Sequence, residues 1–238
     1  MEWQQLAASL FPLGHSITAS GNFLSGTAQV HGDSIAVVGT CGHAPIGVEI
    51  ALAQARFILD TLHHHRQRGI LILVDTEGQR LRHRDEMLGI NSYMAHLGKC
   101  VELARRRGHP VLALVYDQAL SGGFITSGLM ADACYALPEA TIRVMGLPAM
   151  ARITKVPEQR LRELAGTNPV FAPGPENYLR MGGLHGIWDG KLAEQLEQAF
   201  AVADASDTRS ALGLLRGGRK LAQPVIDAIL AGRDVLAP

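Results

Sequence analysis

The sequence has no excess of either charge, with 22 Lys and Arg residues against 22 Asp and Glu residues in a chain of 238. A general attraction to nucleic acid or to an anionic membrane needs a basic surface, so we expect neither as a partner. No uninterrupted apolar run is long enough to cross a bilayer. The first residues lack the basic stretch that precedes the apolar part of a signal peptide, so we expect a cytoplasmic protein.

Cysteine is scarce, with three residues at Cys41, Cys100 and Cys134. Their number is odd and their spacing fits neither a disulfide framework nor a zinc site. Reduced thiols in a cytosolic protein are the simplest interpretation. The cluster His63–His65 ends a predicted helix, where basic residues complement the helix dipole. We therefore predict a solvated helix end there, and no bound metal.

Two nucleotide-binding patterns are missing as well. Gly39, Gly42 and Gly47 follow the first predicted strand without the spacing of a dinucleotide fingerprint, and no Walker-type phosphate loop occurs. The composition does provide material for a large core, because 47% of the residues are hydrophobic. The 26 glycines indicate tight turns and close approach of backbone to backbone or to ligand.

Buried strands alternate with amphipathic helices along much of the chain. Apolar, β-branched runs predict strands at 34–40, 70–76 and 110–117, whereas helical spacing of apolar residues predicts helices between them. Pro45 is suited to the first turn of the first of these helices. This order predicts an α/β protein with parallel strands and crossover helices.

The two ends of the chain have different patterns. Residues 1–32 are weakly patterned and rich in Gly, Ser and Thr, so we predict an N-terminal arm followed by a single domain over 33–238. After a short helix at 121–133 and short strands at 134–138 and 141–146, helices dominate. They are predicted at about 147–154, 157–166, 175–182 and 191–203, and in the tail after 208.

The segment Ser121-Gly122-Gly123-Phe124 follows a buried strand and opens a helix. Backbone N–H groups at a helix N-terminus are unpaired and carry partial positive charge. Glycines have no side chain to keep a substrate oxygen away from these groups. The segment is therefore a candidate oxyanion hole. The alternative is that the two glycines only permit tight packing of the helix on a strand, and the sequence leaves both interpretations open.

A second candidate lies at Asp75–Gln79, which ends another strand at the same edge of the sheet, where ligands bind in such folds. Gly78 is positioned to supply a further backbone donor, although an ordinary turn is the alternative. Asp75, Asp117 and Asp132 each follow an apolar run, so capping or turn roles are expected for them. The predicted site has catalytic positions Gly122, Gly123 and Gly78, and substrate contacts from Ser121, Phe124, Thr76 and Gln79.

Residues 34–156 resemble the carboxyltransferase half-domain of acyl-CoA carboxylases, a branch of the crotonase superfamily. The resemblance lies in Val74-Asp75-Thr76-x-Gly78, in the strand before Ser121-Gly122-Gly123, and in the helix that ends at Ala131-Asp132. It implies a crotonase-like spiral of repeated β-β-α units, the fold that caseinolytic peptidases share.

A closer resemblance is carried by five further runs: 89–97 (GINSYMAHL), 104–110 (ARRRGHP), 144–152 (VMGLPAMAR), 169–174 (PVFAPG) and 216–221 (RGGRKL). These runs are similar to the gamma subunits of malonate decarboxylases. Glu77 departs from the pattern of that family, since related sequences usually have proline at this position.

This resemblance implies a specific activity. Malonate is carried as a thioester on an acyl-carrier protein with a coenzyme-A-like arm, and the beta and gamma subunits together decarboxylate it without biotin. The implied partners are therefore a beta subunit, in a heterodimer or heterotetramer, and the acyl-carrier protein. No cofactor is expected on this chain itself. A local basic patch is expected to dock the carrier, with candidates Arg105, Arg106, Arg107, Arg152 and Lys155.

Loss of carbon dioxide from a malonyl thioester leaves an enolate, whose charge the predicted N–H donors would stabilise. For the proton donor to the enolate, Tyr116, His185 and a residue of the partner subunit are all candidates. The close alternatives are the C-terminal half of a biotin-dependent carboxyltransferase and a non-catalytic scaffold for an active beta subunit.

Two more distant activities of the same superfamily are disfavoured. A serine peptidase with its nucleophile at Ser121 would need a histidine base, and residues 144–148 contain none. An enoyl-CoA hydratase needs carboxylates in the site, and no acidic residue follows Gly123 before Asp132.

Overall fold

The structure is a computed structural model, and it describes residues 1–165, 174–218 and 222–232. The runs 169–174 and 216–221, and the end of the helix predicted at 157–166, lie partly outside these residues. The strands are β1 (Thr18–Ser20), β2 (Phe23–Val30), β3 (Asp33–Thr40), β4 (Ala44–Ile46), β5 (Ile70–Gln79), β6 (Val111–Leu120), β7 (Ala133–Ala136), β8 (Thr141–Arg143) and β9 (Gly186–Ile187).

The helices connect these strands and dominate the C-terminal third of the described chain. Among them, none combines the length and the apolar character that crossing a bilayer requires. They are α1 (Trp3–Leu10), α2 (Val48–His64), α3 (His83–Met87), α4 (Ile90–Arg106), α5 (Ser121–Ser127), α6 (Leu147–Thr154), α7 (Glu158–Ala165), α8 (Pro175–Arg180), α9 (Leu192–Ala201), α10 (Arg209–Leu215) and α11 (Ala222–Leu230).

The strands form one mixed sheet in the order β1-β2-β3-β5-β6-β7-β9. From β3 to β9 all neighbouring strands are parallel, as the alternation of strands and helices predicts. The antiparallel pairs are β1 with β2 and β2 with β3. Two short strands lie outside this order: β4 pairs with β5, and β8 pairs with β6.

The long strands β5 and β6 each serve two layers. The first half of β5 pairs with β3 and β6, and its register shifts between Val74 and Thr76. Beyond the shift, Thr76–Gln79 pairs with β4, and Gln118–Leu120 of β6 pairs with β8. Each repeat of the chain therefore consists of one strand segment in each layer followed by a helix. This is the β-β-α spiral that the resemblance implies.

Helices cover both faces of the sheet. On one face, alternate residues of the strands, such as Ile72, Val74 and Val115, pack with α2, α4 and Phe124. On the other, Leu71, Leu73 and Leu114 pack with residues of α1 and α9. Burial on both faces explains why the parallel strands are continuous apolar runs in the sequence.

The first 32 residues do not form the separate arm predicted from the sequence. β2 pairs with β3 over its full length, from Phe23 opposite Thr40 to Val30 opposite Asp33. Leu6 and Leu10 of α1 are buried in the same cluster as strand residues of the central sheet. The predicted boundary at 32 and 33 therefore falls inside a hairpin turn and separates no domains.

Pro45 also has a different role from the one predicted. It lies in β4, and α2 begins three residues later at Val48, after Gly47. An edge strand such as β4 accepts proline, because only one side of the strand is paired and the missing N–H leaves no neighbouring strand without a donor.

A buried ion pair ties α4 to the sheet. Asp132 accepts hydrogen bonds from the backbone N–H of Val111 (2.8 Å) and from Nε of Arg105 (2.6 Å). Arg105 also donates to Glu102 (2.8 Å) and to the carbonyl of Ala205 (3.0 Å). Asp132 therefore has a structural role, but through long-range bonds to β6 and α4 and not as the local cap or turn residue expected from the sequence. Arg105 is held within the fold, so it is unsuited to docking a carrier.

Replacing Asp132 with alanine should therefore lower stability strongly. The substitution leaves the Arg105 guanidinium and the Val111 N–H without their acceptor, and loss of one partner of a buried pair costs about 3–5 kcal/mol. Urea denaturation followed by circular dichroism measures the change. Glu194→Ala, which breaks the exposed pair with Lys191, is the control and should change the free energy of unfolding by less than about 1 kcal/mol. Equal losses in the two variants would contradict the assignment.

Candidate active site at the ends of β5 and β6

The helix α5 begins directly after β6, with no loop between them. Leu120 is extended, and Ser121 takes a left-handed conformation with φ of 56° that turns the chain into the helix. No side chain caps this helix. Among the described residues, no hydrogen bond outside the helix uses the N–H of Gly122 or Gly123. Within the described residues these N–H groups are therefore left without a partner, which an oxyanion hole at this helix start would require.

The two glycines differ in their surroundings. A Cβ placed on Gly122 would have no neighbouring heavy atom within 4 Å, so this position faces open space. A Cβ on Gly123 would lie 2.9 Å from Cδ1 of Ile46 and 3.1 Å from Cα of Gly78. The packing interpretation therefore holds for Gly123, whereas the open approach to the helix start is at Gly122.

Gly78 approaches the same helix from β5. Its φ is 98°, and a Cβ there would lie 2.8 Å from Cβ of Ser121 and 3.0 Å from the carbonyl oxygen of Leu120. Its N–H donates a hydrogen bond to Oγ1 of Thr76 at 2.9 Å, so it is already paired. The prediction of Gly78 as an oxyanion donor is therefore not supported by the geometry. The glycine instead permits close contact between β5 and α5.

Two of the predicted substrate contacts point into the protein interior. Thr76 is fully buried, and its hydroxyl donates to the carbonyl oxygen of Ala44 at 2.6 Å. Phe124 is 2% exposed and lies edge-on to Tyr178 in the core. Their side chains support the neighbouring strands and helix, so the structure gives both residues a packing role instead of a substrate contact.

The other two predicted contacts lie nearer the surface. Ser121 is half-buried at the start of α5. Gln79 is half-buried at the end of β5, and its amide donates to Oε1 of Glu86 at 3.0 Å. Glu77, the departure from the family pattern, is exposed in β5. Ser121 and Gln79 therefore stay candidates for substrate contact.

A polar cluster that the sequence did not reveal lies where β5 and β6 change register. Asp75 accepts hydrogen bonds from the N–H groups of His43 (2.9 Å) and Gln118 (3.3 Å). Nε2 of His43 lies 3.1 Å from Oδ1 of Asp117. Burial raises the pKa of Asp75, in spite of the two backbone donors. The Asp75 carboxylate thus ties the turn before β4 to the irregular part of β6. Asp75 lies within β5, so its role is structural but is not the local cap or turn expected from the sequence.

His43, Asp75 and Asp117 could offer ligand atoms within 4.8 Å of one another. The hydrogen bonds of the cluster already account for both oxygens of Asp75. No single signal in the sequence could have brought the three together, because they lie on separate segments that meet only when the strands are paired.

The two candidate proton donors within this chain are both engaged elsewhere. The hydroxyl of Tyr116 donates to the carbonyl of Thr40 at 2.9 Å, and burial raises its pKa. Nδ1 of His185 accepts a hydrogen bond from the N–H of Cys134 at 3.2 Å, and burial lowers its pKa. Cys134 pairs with Ala113, seven residues before Leu120, which places His185 roughly 20 Å along the strand from α5.

A cavity of about 850 Å³ lies at the opposite end of the sheet, lined in part by His31, Arg68, Gly69 and Phe200. Gly69 and Pro110 mark the amino ends of β5 and β6 there. Ligands of parallel sheets bind outside the carboxyl ends of the strands, so this cavity is separate from the candidate active site.

The sequence comparisons decide the family. Residues 41–233 match the family of malonate decarboxylase gamma subunits. The chain belongs to this family. A malonyl-S-ACP:biotin-protein carboxyltransferase of Malonomonas rubra is 34% identical over 198 residues, which cover 74% of this chain and 68% of that protein. The resemblance drawn from the sequence motifs is thereby confirmed, and the gamma-subunit family makes the chain a component of an enzyme complex.

Solved structures confirm the fold. A Pseudomonas malonate decarboxylase hetero-tetramer, crystallised with coenzyme A, matches with a TM-score of 0.82 at 21% identity, over 95% of this chain and 97% of the matched chain. The MdcD-MdcE hetero-dimer from Pseudomonas matches with a TM-score of 0.77 at 23% identity and the same coverage. Transcarboxylase 12S matches with a TM-score of 0.72 at 20% identity, over 85% of this chain and 41% of that chain. The crotonase-type carboxyltransferase fold predicted for this gamma-family chain is therefore confirmed.

The environments of the two glycines predict different stabilities for their alanine variants. Gly123→Ala should destabilise the fold by about 1–3 kcal/mol, because the new methyl group meets Ile46 and the backbone of Gly78. Gly122→Ala should stay within about 1 kcal/mol of the unsubstituted protein, because the methyl group enters open space. Urea denaturation of both variants measures the difference. A Gly122 variant as unstable as the Gly123 variant would show that both glycines are required by packing.

Proposed function

We propose that this chain is the gamma subunit of a biotin-independent malonate decarboxylase. Together with a beta subunit it would convert malonyl-S-acyl-carrier protein to the acetyl thioester and carbon dioxide, as a carboxy-lyase. The observation that carries the proposal is the open helix start at Gly122, at the carboxyl edge of the sheet in a member of the gamma-subunit family. The coenzyme-A-like arm reaches this edge as part of the substrate, borne by the carrier protein.

The proposed reaction breaks the bond between the α-carbon and the carboxylate carbon of the malonyl group. The electron pair of that bond remains with the thioester as an enolate, whose charge lies largely on the thioester oxygen. The N–H group of Gly122 donates to this oxygen, and donors that are already oriented lower the barrier by several kcal/mol. A proton then adds to the α-carbon and gives the acetyl thioester.

The geometry of this chain supports a proton source outside it. Tyr116 and His185 already bond the carbonyl of Thr40 and the N–H of Cys134. We therefore assign the donor to the partner subunit or to a water molecule at the interface. The N–H of Gly78 is already paired with Thr76, so it does not supply a second donor to the enolate oxygen. That second donor would be the Gly123 N–H or a group of the partner subunit.

A second candidate function is transfer of the malonyl carboxyl group to a biotin-bearing protein. The relative from Malonomonas rubra, whose name describes that reaction, favours it. Both reactions break the same carbon–carbon bond over the same helix start, and they differ only in whether carbon dioxide is released or captured by biotin. The discriminating variable is therefore biotin, not the geometry of the oxyanion hole.

The test uses the chain co-purified with its beta subunit. Malonyl-CoA labelled at the free carboxyl is supplied with and without avidin, and released carbon dioxide is counted. Decarboxylation that avidin leaves unchanged supports the proposed function. Release or transfer that occurs only with a biotin-bearing protein, and stops with avidin, supports the second candidate. Full activity of the beta subunit without this chain would assign it a scaffold role and refute both.

Within that assay, Gly122→Val should lower turnover by about a hundredfold or more, because its side chain occupies the approach to the N–H donors. Its melting temperature should change little, since the position faces open space. Ala201→Val, on the exposed end of α9, is the matched control and should keep full activity.

Ser121→Ala tests for a covalent mechanism at the same helix start. The variant should stay active, because the proposed reaction needs no nucleophile. A folded Ser121→Ala variant that binds malonyl-CoA without turning it over would refute the mechanism. A fully active Gly122→Val variant would remove Gly122 from the site.

A further inference from the structure

The short strand β8 brings a cation beside the proposed site. Its residue Arg143 is paired in register with Leu120, the last residue of β6. Neighbouring strands lie about 4.8 Å apart, and Gly122 follows Leu120 by two residues. The Arg143 backbone is therefore one strand away from the start of α5, within the span of a long, flexible side chain.

The pleat of β8 settles which face Arg143 occupies. Ile142 is fully buried in the cluster that also contains Ala119 and Phe124. Because side chains alternate along a strand, Arg143 and its register partner Leu120 share the other face. This face also carries Gln118 and Thr141, which pair in the same register and are half-buried. Arg143 is therefore directed away from the cluster around Ile142, on a face that it shares with the half-buried Gln118 and Thr141 and with the buried Leu120.

Arg143 is half-buried, yet it has no fixed counter-charge. In the part of the chain that the structure describes, its guanidinium takes part in no ion pair and no side-chain hydrogen bond, in contrast to Arg105 and Arg209. A partly desolvated guanidinium without an acceptor is unfavourable, and an anionic ligand would relieve that cost. Its fork of donors matches the two oxygens of a carboxylate.

We propose that Arg143 binds the free carboxylate of the malonyl group and so distinguishes the substrate from the acetyl product. This inference rests on the proposed function, because it supplies the substrate whose thioester lies over Gly122. In a malonyl thioester the carboxylate is separated from the thioester carbon by one methylene group. A cation beside the oxyanion donors is therefore at a suitable place to meet it.

The contact has a cost for catalysis that makes it testable. During decarboxylation, negative charge leaves the carboxylate and moves to the thioester oxygen. A cation on the carboxylate therefore stabilises the bound substrate more than the transition state. Arg143 thus acts on substrate affinity and selectivity, while the N–H groups of α5 act on turnover.

The experiment compares Arg143→Met and Arg143→Lys with the unsubstituted complex of this chain and its beta subunit. Arg143→Met should raise KM for malonyl-CoA by about 10- to 100-fold, the size of a lost charge-assisted contact. Its kcat should stay equal or rise, and inhibition by acetyl-CoA, which lacks the carboxylate, should keep its inhibition constant. Arg143→Lys should recover part of the affinity. Arg66→Met, an exposed residue at the opposite end of the sheet, is the control and should change nothing.

The outcomes that overturn the inference are specific. An unchanged KM, or equal losses of affinity for malonyl-CoA and acetyl-CoA, would show that Arg143 does not read the carboxylate. A fall in kcat at constant KM would assign it to the reaction itself.

Failure of the proposed function gives a different result. In that case the unsubstituted complex would release no carbon dioxide from malonyl-CoA and transfer none to biotin. Equilibrium titration of the complex with malonyl-CoA and acetyl-CoA then tests Arg143 without turnover. A preference for malonyl-CoA that Arg143→Met abolishes supports the contact, and the absence of any preference refutes it.

Discussion

The contact on which the site depends is the approach of α5 to β5, backbone against backbone. A Cβ atom added at Gly78 would lie 2.8 Å from the nearest heavy atom, and one added at Gly123 would lie 2.9 Å from it. This contact sets the angle at which α5 leaves β6, because Ser121 must turn the chain through a left-handed conformation for the helix to lie there. The direction of the helix's first N–H groups follows from that angle. By lacking side chains, Gly78 and Gly123 thus determine where the first N–H groups of α5 lie.

Side-chain oxygens hold the strands in the bend that this contact requires. Where β5 and β6 change from one layer to the other, regular pairing is interrupted and backbone groups lose their partners. Thr76 replaces two of those partners by bonding Gly78 and Ala44, and Asp75 does the same for His43 and Gln118. Buried donors and acceptors are costly when unpaired, so these two side chains make the bend possible. The presence of Asp75 and Thr76 in the motif Val74-Asp75-Thr76-x-Gly78 is therefore explained by their hydrogen bonds to backbone groups, without a direct contact to substrate.

The parts of the fold that the sequence predicts are those with continuous local patterns. The runs at 34–40, 70–76 and 110–117 are apolar throughout because both faces of their strands are buried. The sequence does not predict β4, because this strand has only three residues and contains Pro45, which is equally compatible with a helix start. For β1 and β2 the sequence predicts only an extended arm and not paired strands, because their Gly, Ser and Thr residues weaken the alternation. The polar cluster of His43, Asp75 and Asp117 depends on strand pairing, which no local pattern reveals.

The same limit explains the mixed outcome at the site. A Gly-Gly pair after a buried strand predicts both an open helix start and a tight contact, and the structure assigns one property to each glycine. Thr76 and Phe124 neighbour the glycines in sequence, yet the pleat and the helix direct both side chains inward. The groups proposed to stabilise the anion in this chain are consequently backbone amides, which carry no titratable proton. A decarboxylase still needs a proton for the α-carbon, and the interior roles of Tyr116 and His185 remove the candidates that this chain offered. In the proposed reaction the work is therefore divided between subunits: this chain would stabilise the enolate, and the proton would arrive from outside it.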